Sequence, residues 1–159
     1  MSFSNIGVVG LGIMGAGIVE VFARAGYEVT GVAESTPAVA AGQANLAKSL
    51  GRAVSKGKLS QEESDAITAR VTFGSEFKLL ANCDLVIEAA PEILSLKTEI
   101  FSQLDAVVKP AGILATNTSS LSVTKIATAT KRPAQVIGMH FFNPAPVQKF
   151  VEVISTSES

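Results

Sequence analysis

The segment Asn5-Ile6-Gly7-Val8-Val9-Gly10-Leu11-Gly12-Ile13-Met14-Gly15 decides the fold. A short apolar run, Asn5–Val9, is predicted to be a buried strand, and a helical stretch follows over Gly15–Ala25, stopped by Gly26. Between them Gly10, Gly12 and Gly15 form a GxGxxG, a weak signal alone and a strong one between a strand and a helix. Gly10 permits a tight turn, Gly12 lets the backbone approach a pyrophosphate, and Gly15 lets the helix lie close to the strand. The helix start then offers free N–H groups and a positive dipole end to phosphate. A plain glycine-rich turn is the alternative, but glycines so placed weaken a helix start unless something needs the room.

Outward from this turn, β-branched runs alternate with helical stretches, the pattern of a mainly parallel α/β sheet. Further strands are predicted at Glu28–Ala33, Arg70–Phe73, Leu85–Ala89, Ile113–Thr116 and Val136–Met139. Pro37–Ala69 carries two helical patterns split near Gly57–Ser60, with Ser60 and Glu63 spaced as a capping box. Ile93–Val107 and Val123–Ala129 complete the helices. No helix precedes Phe150–Ile154, so this strand is expected to run antiparallel on the sheet edge. The fold class is therefore a Rossmann-type, doubly wound α/β domain with a helical hairpin inserted after strand two. Its ligand crevice would be bounded by the loops after residues 9, 33, 89, 116 and 139.

With 159 residues the chain is long enough for one domain with a full core. Hydrophobic residues make up 47% and charged ones 17%, which excludes a disordered or fibrous chain. A formal net charge of -1 gives no electrostatic case for nucleic acid or an anionic membrane as partner. No apolar run of about 18 residues predicts a membrane span, and the glycine-broken N-terminus lacks the basic region of a signal peptide. The single cysteine, Cys83, cannot form an internal disulfide, so a reducing, cytoplasmic setting is expected. No metal site is called for.

Several residues near the crevice loops carry candidate chemistry. Glu34 is the acid at the end of strand two, where ribose hydroxyls are held in such folds. No Arg or Lys lies between Glu34 and Gly42 to receive a 2′-phosphate, which favours NAD over NADP. The one histidine, His140, ends the sixth predicted strand and is followed by Phe141, Phe142, Asn143 and Pro144. A lone histidine is commonly structural, but hydride transfer from a carbinol needs a base that works near neutrality, and His140 qualifies. Glu152 on the next strand is a candidate to orient it, or is simply exposed. Asn117-Thr118-Ser119-Ser120 could bind nicotinamide or the reacting oxygen, or supply a helix cap.

Together these segments resemble the N-terminal domain of the L-3-hydroxyacyl-CoA dehydrogenase family, above all its bacterial 3-hydroxybutyryl-CoA dehydrogenases. VIEAAPE (86–92), ATNTSSL (115–121) and GMHFFNPAPV (138–147) carry the resemblance more specifically than GxGxxG does. The resemblance implies NAD-dependent interconversion of 3-hydroxyacyl-CoA and 3-ketoacyl-CoA in fatty acid metabolism. It implies that His140 takes the hydroxyl proton, Glu152 orients it and Ser119 bonds the 3-oxygen. Glu92, Lys97, Asn117 and Asn143 match positions lining the cofactor or its nicotinamide end. Family members also carry a basic helical pair facing the CoA phosphates. Lys48, Arg52 and Lys56 recur every four residues on one helix face, which is either that surface or a solvated one. The usual ribose-binding acid aligns with Ala33, and strand alternation would start Glu34 pointing the other way.

Residues 1–154 are expected to form the NAD-binding domain and residues 155–159 to begin an interdomain linker. The family's C-terminal helical domain, which builds a homodimer, is expected to be absent from this chain. Two alternatives stay open. A β-hydroxyacid dehydrogenase also begins GLGIMG but uses a lysine base from a later domain. A non-catalytic dinucleotide-binding module would share the fold without the reaction.

Overall fold

The structure, a computed structural model, describes residues 2–159. Seven strands form one sheet in the order β3-β2-β1-β4-β5-β6-β7. They are β1 (Asn5–Val9), β2 (Glu28–Val32), β3 (Val71–Gly74), β4 (Leu85–Glu88), β5 (Ile113–Thr116), β6 (Val136–Phe141) and β7 (Val151–Ile154). Pairings from β3 through β6 are parallel, and β7 alone runs antiparallel, on β6 at the edge. The helices are α1 (Ile13–Arg24), α2 (Thr36–Ser55), α3 (Gln61–Ala69), α4 (Leu94–Val107) and α5 (Val123–Ala127). Winding reverses between β1 and β4, so a crevice opens there at the C-terminal strand ends.

Alternation along the strands divides the core into two layers. Ile6 and Val8 of β1 join Leu85 and Ile87 of β4 in one apolar cluster, with Ile18 of α1 and Leu46 and Leu50 of α2. Val9 and Val86 face the opposite way and meet Phe101 and Leu104 of α4 and Ile126 of α5. A sheet buried on both faces explains why its strands read as continuous apolar runs.

Local signals set the helix starts. The Ser35 hydroxyl accepts from Ala38 N at 3.3 Å, with a proline in the first turn of α2. Ser60 accepts from Glu63 N at 3.0 Å and caps α3, one half of the expected capping box.

Several boundaries differ from expectation, and two of them bear on the site. α1 begins at Ile13, so Gly15 lies inside its first turn. β6 continues past Met139 to Phe141, because β7 pairs with its last residues and extends the ladder. His140 therefore sits within a strand. Among the described residues no helix is long and apolar enough to cross a membrane.

Candidate functional site

The glycine turn is shaped by backbone crowding on one side and open space on the other. Gly10 has φ 93°, and a Cβ there would lie 2.8 Å from the Ala89 carbonyl. A Cβ on Gly15 would lie 1.7 Å from Gly10 O. These two glycines let the turn pack against its own helix and against the loop after β4. Gly12 is different: a Cβ there would meet nothing of the chain within 4 Å. The room at Gly12 faces outward, where no side chain caps α1 and no acid occupies its first turn. First-turn amides left unpaired beside open space fit a pyrophosphate.

The turn floors a crevice of about 920 Å³, lined by Gly10–Gly15, Ala33, Glu34, Ala89–Pro91 and residues of α4. Its charged lining residues are Glu34 and Glu99, and no Lys or Arg contributes to it. Glu34 reaches this wall although alternation pointed it away, because β2 ends at Val32 and the chain turns into α2. A nicotinamide dinucleotide fits this lining through its pyrophosphate on the α1 amides and its ribose hydroxyls near Glu34.

At the sheet edge, His140 pairs in register with Glu152 of β7. Directly opposed residues on antiparallel strands share a face. Among the described residues no hydrogen bond or ion pair joins the two. The imidazole is half-buried against Phe142, with ring centroids 4.6 Å apart. Asn117 holds the adjacent backbone: its Oδ1 accepts from Phe141 N at 2.8 Å. Ser119 lies exposed on the bend after β5. Next to it the Thr118 hydroxyl donates to Glu92 and accepts from Leu121 N at 2.9 Å. Glu92 therefore ties the loop after β4 to the loop after β5, and it is not among the crevice-lining residues.

A second pocket, about 370 Å³, lies between α1, α2 and the loop before β7. Lys48 and Arg52 line it together with Asn45, Ser49 and Asn143, whereas Lys56 at the C-cap of α2 does not. Asn143 thus faces this pocket and not the dinucleotide crevice. Glu20 is 1% exposed beneath the pocket, and Arg24 Nε lies 3.0 Å from its Oε2 without hydrogen-bond alignment.

Lys97, expected at the cofactor, is not among the crevice-lining residues. Lys97 is 1% exposed, with its ammonium against the backbone of the crevice-lining residue Ala90. There it donates to Glu88 Oε2 at 2.6 Å and to Ala90 O at 3.0 Å. A lysine on the inner face of α4 has an apolar core around it, and only the buried Glu88 can neutralise it. The sequence reading gives Glu88 no role and names Thr118 only as part of the segment Asn117–Ser120. Glu88 did leave a signal, since an acid inside the apolar run Leu85–Ala89 demands a buried partner.

The sheet order, the glycine turn and the crevice at its switch point define a dinucleotide-binding α/β domain. The chain belongs to the 3-hydroxyacyl-CoA dehydrogenase family: the model of that family's NAD binding domain matches residues 5–159. A 3-hydroxybutyryl-CoA dehydrogenase from Mycobacterium tuberculosis H37Rv is 47% identical over 156 residues, covering 98% of this chain and 54% of that protein. A 3-hydroxyadipyl-CoA dehydrogenase from Escherichia coli K12 is 43% identical, covering 98% of this chain and 33% of its own length. The solved structure of (S)-3-hydroxybutyryl-CoA dehydrogenase PaaH1 from Ralstonia eutropha superposes with TM-score 0.97 at 42% identity. It is matched over 99% of this chain and 56% of its own. The chain spans about half the length of the curated 3-hydroxybutyryl-CoA dehydrogenases it matches. NAD is the cofactor of this domain.

Proposed function

We propose that residues 1–154 are the NAD-binding half of an enzyme that interconverts 3-hydroxyacyl-CoA and 3-ketoacyl-CoA, with residues 155–159 leading toward the substrate half. The observation that carries this is the pairing of His140 with Glu152 on β6 and β7, in the same sheet whose switch point carries a crevice built for a dinucleotide. NAD bound in that crevice would supply the hydride acceptor. His140 would take the hydroxyl proton, and an acid directly opposite it on the neighbouring strand would stabilise the imidazolium that forms. Ser119, exposed on the same loop cluster, would hydrogen-bond the 3-oxygen. Asn117 would act from behind, because its carboxamide oxygen holds the Phe141 amide next to the base.

Support for a CoA thioester comes from the second pocket, where Lys48 and Arg52 flank polar Asn45, Ser49 and Asn143. Such a lining suits a phosphate-bearing arm better than a small free acid. The apolar residues Val147, Phe150, Val153 and Ile154 stand exposed on β7 and the loop before it, which suits a partner domain and a homodimer built through it.

The test is NADH-dependent reduction of acetoacetyl-CoA. This chain should bind NADH yet turn over slowly, with one wall of the cleft supplied from outside it. In a protein joining it to a family C-terminal domain, His140→Ala should reduce kcat by at least about a hundredfold. Activity that survives His140→Ala would overturn the assignment and favour a β-hydroxyacid dehydrogenase with its base elsewhere.

A further inference from the structure

The imidazole of His140 packs on an aromatic ring and lacks a bond to its acid. Register sets His140 opposite Glu152, and two residues further along the same pair of strands Phe142 comes opposite Phe150. Residues two apart on a strand share a face. These four side chains therefore form two rows on one face, an acid–base row and an aromatic row. The rings stack in that order: His140 and Phe142 have centroids 4.6 Å apart with planes at 59°, and Phe142 and Phe150 have centroids 5.3 Å apart with planes at 31°. On the other side of the imidazole stands Gly138, which has no side chain and little room for one, since a Cβ there would lie 3.1 Å from Ile154 and from Val123. Among the described residues no ion pair involves His140 or Glu152. The backbone that carries Phe142 is pinned on its opposite face. Asn117 Oδ1 accepts from Phe141 N at 2.8 Å, and the buried Phe141 ring meets Phe22 edge-on at 6.2 Å. Phe142 is half-buried, and Phe150, 60% exposed, stands behind it.

We propose that Phe142 is a positioning residue for His140, with Phe150 as the ring that backs it, so that the neck of the loop between β6 and β7 sets the direction of the imidazole. The proposal rests on the reading of His140 as the base. A base acts only from within hydrogen-bond reach of its proton, and an imidazole free to turn about its side-chain bonds spends part of its time outside that reach. Packing on a ring held by the strand restricts this turning without burying a charge. A small misplacement of a reacting group is enough to slow a reaction greatly, so the aromatic row acts on rate and not on the dinucleotide crevice, to whose lining neither phenylalanine contributes.

His140 is the one histidine of the chain, so its ring signals in an NMR spectrum have a single source. Three-bond couplings across its χ1 are measured in the 159-residue chain, in Phe142→Leu and in Phe142→Tyr, with thermal unfolding followed in parallel. One rotamer should dominate in the wild type, leucine should give averaged couplings, and tyrosine should restore the single rotamer. In the protein joined to a family C-terminal domain, Phe142→Leu should lower kcat about tenfold with KM within about twofold, and Phe142→Tyr should recover most of the loss. A ring that served stability alone would shift the melt and leave rotamer and kcat in place, which overturns the proposal. Averaged couplings in the wild type overturn it too. Should Phe142→Leu not fold, Phe150→Leu decides, because it changes an exposed position. Looser His140 couplings there uphold the stack, and unchanged ones overturn it. The base reading fails by a different result, activity that survives His140→Ala, and that result takes this proposal with it.

Discussion

At the residue scale, the three glycines of one motif do three different jobs, and only their surroundings tell them apart. Gly12 has φ -66° and ψ -170°, which alanine adopts without strain, and open space beside it. Gly12→Ala should hold or raise stability by about 0.4–1 kcal/mol through the unfolded chain. It should also lower NADH affinity about tenfold, since the methyl takes the space of the pyrophosphate. Gly15→Ala drives a methyl into Gly10 O and should cost about 1–3 kcal/mol of stability. Paired thermal melts and NADH titrations read both. Equal behaviour of the two variants would show that the room at Gly12 is not ligand space. Cys83 has no comparable role, for burial pushes its thiol up to about 11 and keeps it protonated near neutrality.

At the element scale, the N-terminal strand is fastened by one side chain at the start of its neighbour. Asp84, just before β4, accepts from Ser4 N at 2.8 Å and Asn5 N at 2.9 Å, and Lys109 Nζ lies 2.5 Å from its other oxygen. The Asn5 backbone bond, with the Lys109 and Ser4 bonds behind it, holds the carboxyl well below its ordinary value of 3.8. A carboxylate with a depressed folded-state value stabilises the fold above the unfolded-state value, and that stability is lost as pH falls further. Asp84→Asn should therefore melt about 2–4 °C below the wild type at pH 7. The gap should close as pH drops below about 4. A gap that stays constant between pH 7 and pH 3 would rule out this charge as its source. The Ser60 cap, the start of β4 and both ends of β5 were legible in sequence, because capping and apolar runs are local signals. The end of β6 was not, since the strand continues through His140 and Phe141 only by pairing with β7, a contact between segments separated by a loop.

At the scale of the whole molecule, charge distribution sets cofactor choice. The crevice is lined by Glu34 and Glu99 and by no cation, so a 2′-phosphate would meet like charge and no bidentate partner. NADH should bind at least about tenfold tighter than NADPH in fluorescence titrations at moderate ionic strength. Equal affinities would mean that the adenosine end lies elsewhere. The basic residues face the other pocket, where Lys48 and Arg52 stand across from Asn143. Two pockets of opposite character thus lie on either side of α1, whose first turn is shared between them through Ile13.

The sequence by itself determined the strand-turn-helix at Gly10–Gly15, the alternation of strands and helices, the antiparallel last strand and the family, because periodicity, caps and motifs are written in neighbouring residues. Only the tertiary structure decided which way the polar side chains point. It turned Lys97 inward onto Glu88, seated Asn143 in the second pocket, brought Glu34 onto the crevice wall and set Glu152 opposite His140. A side chain's partner depends on packing between segments far apart in the chain, and no local pattern encodes that distance.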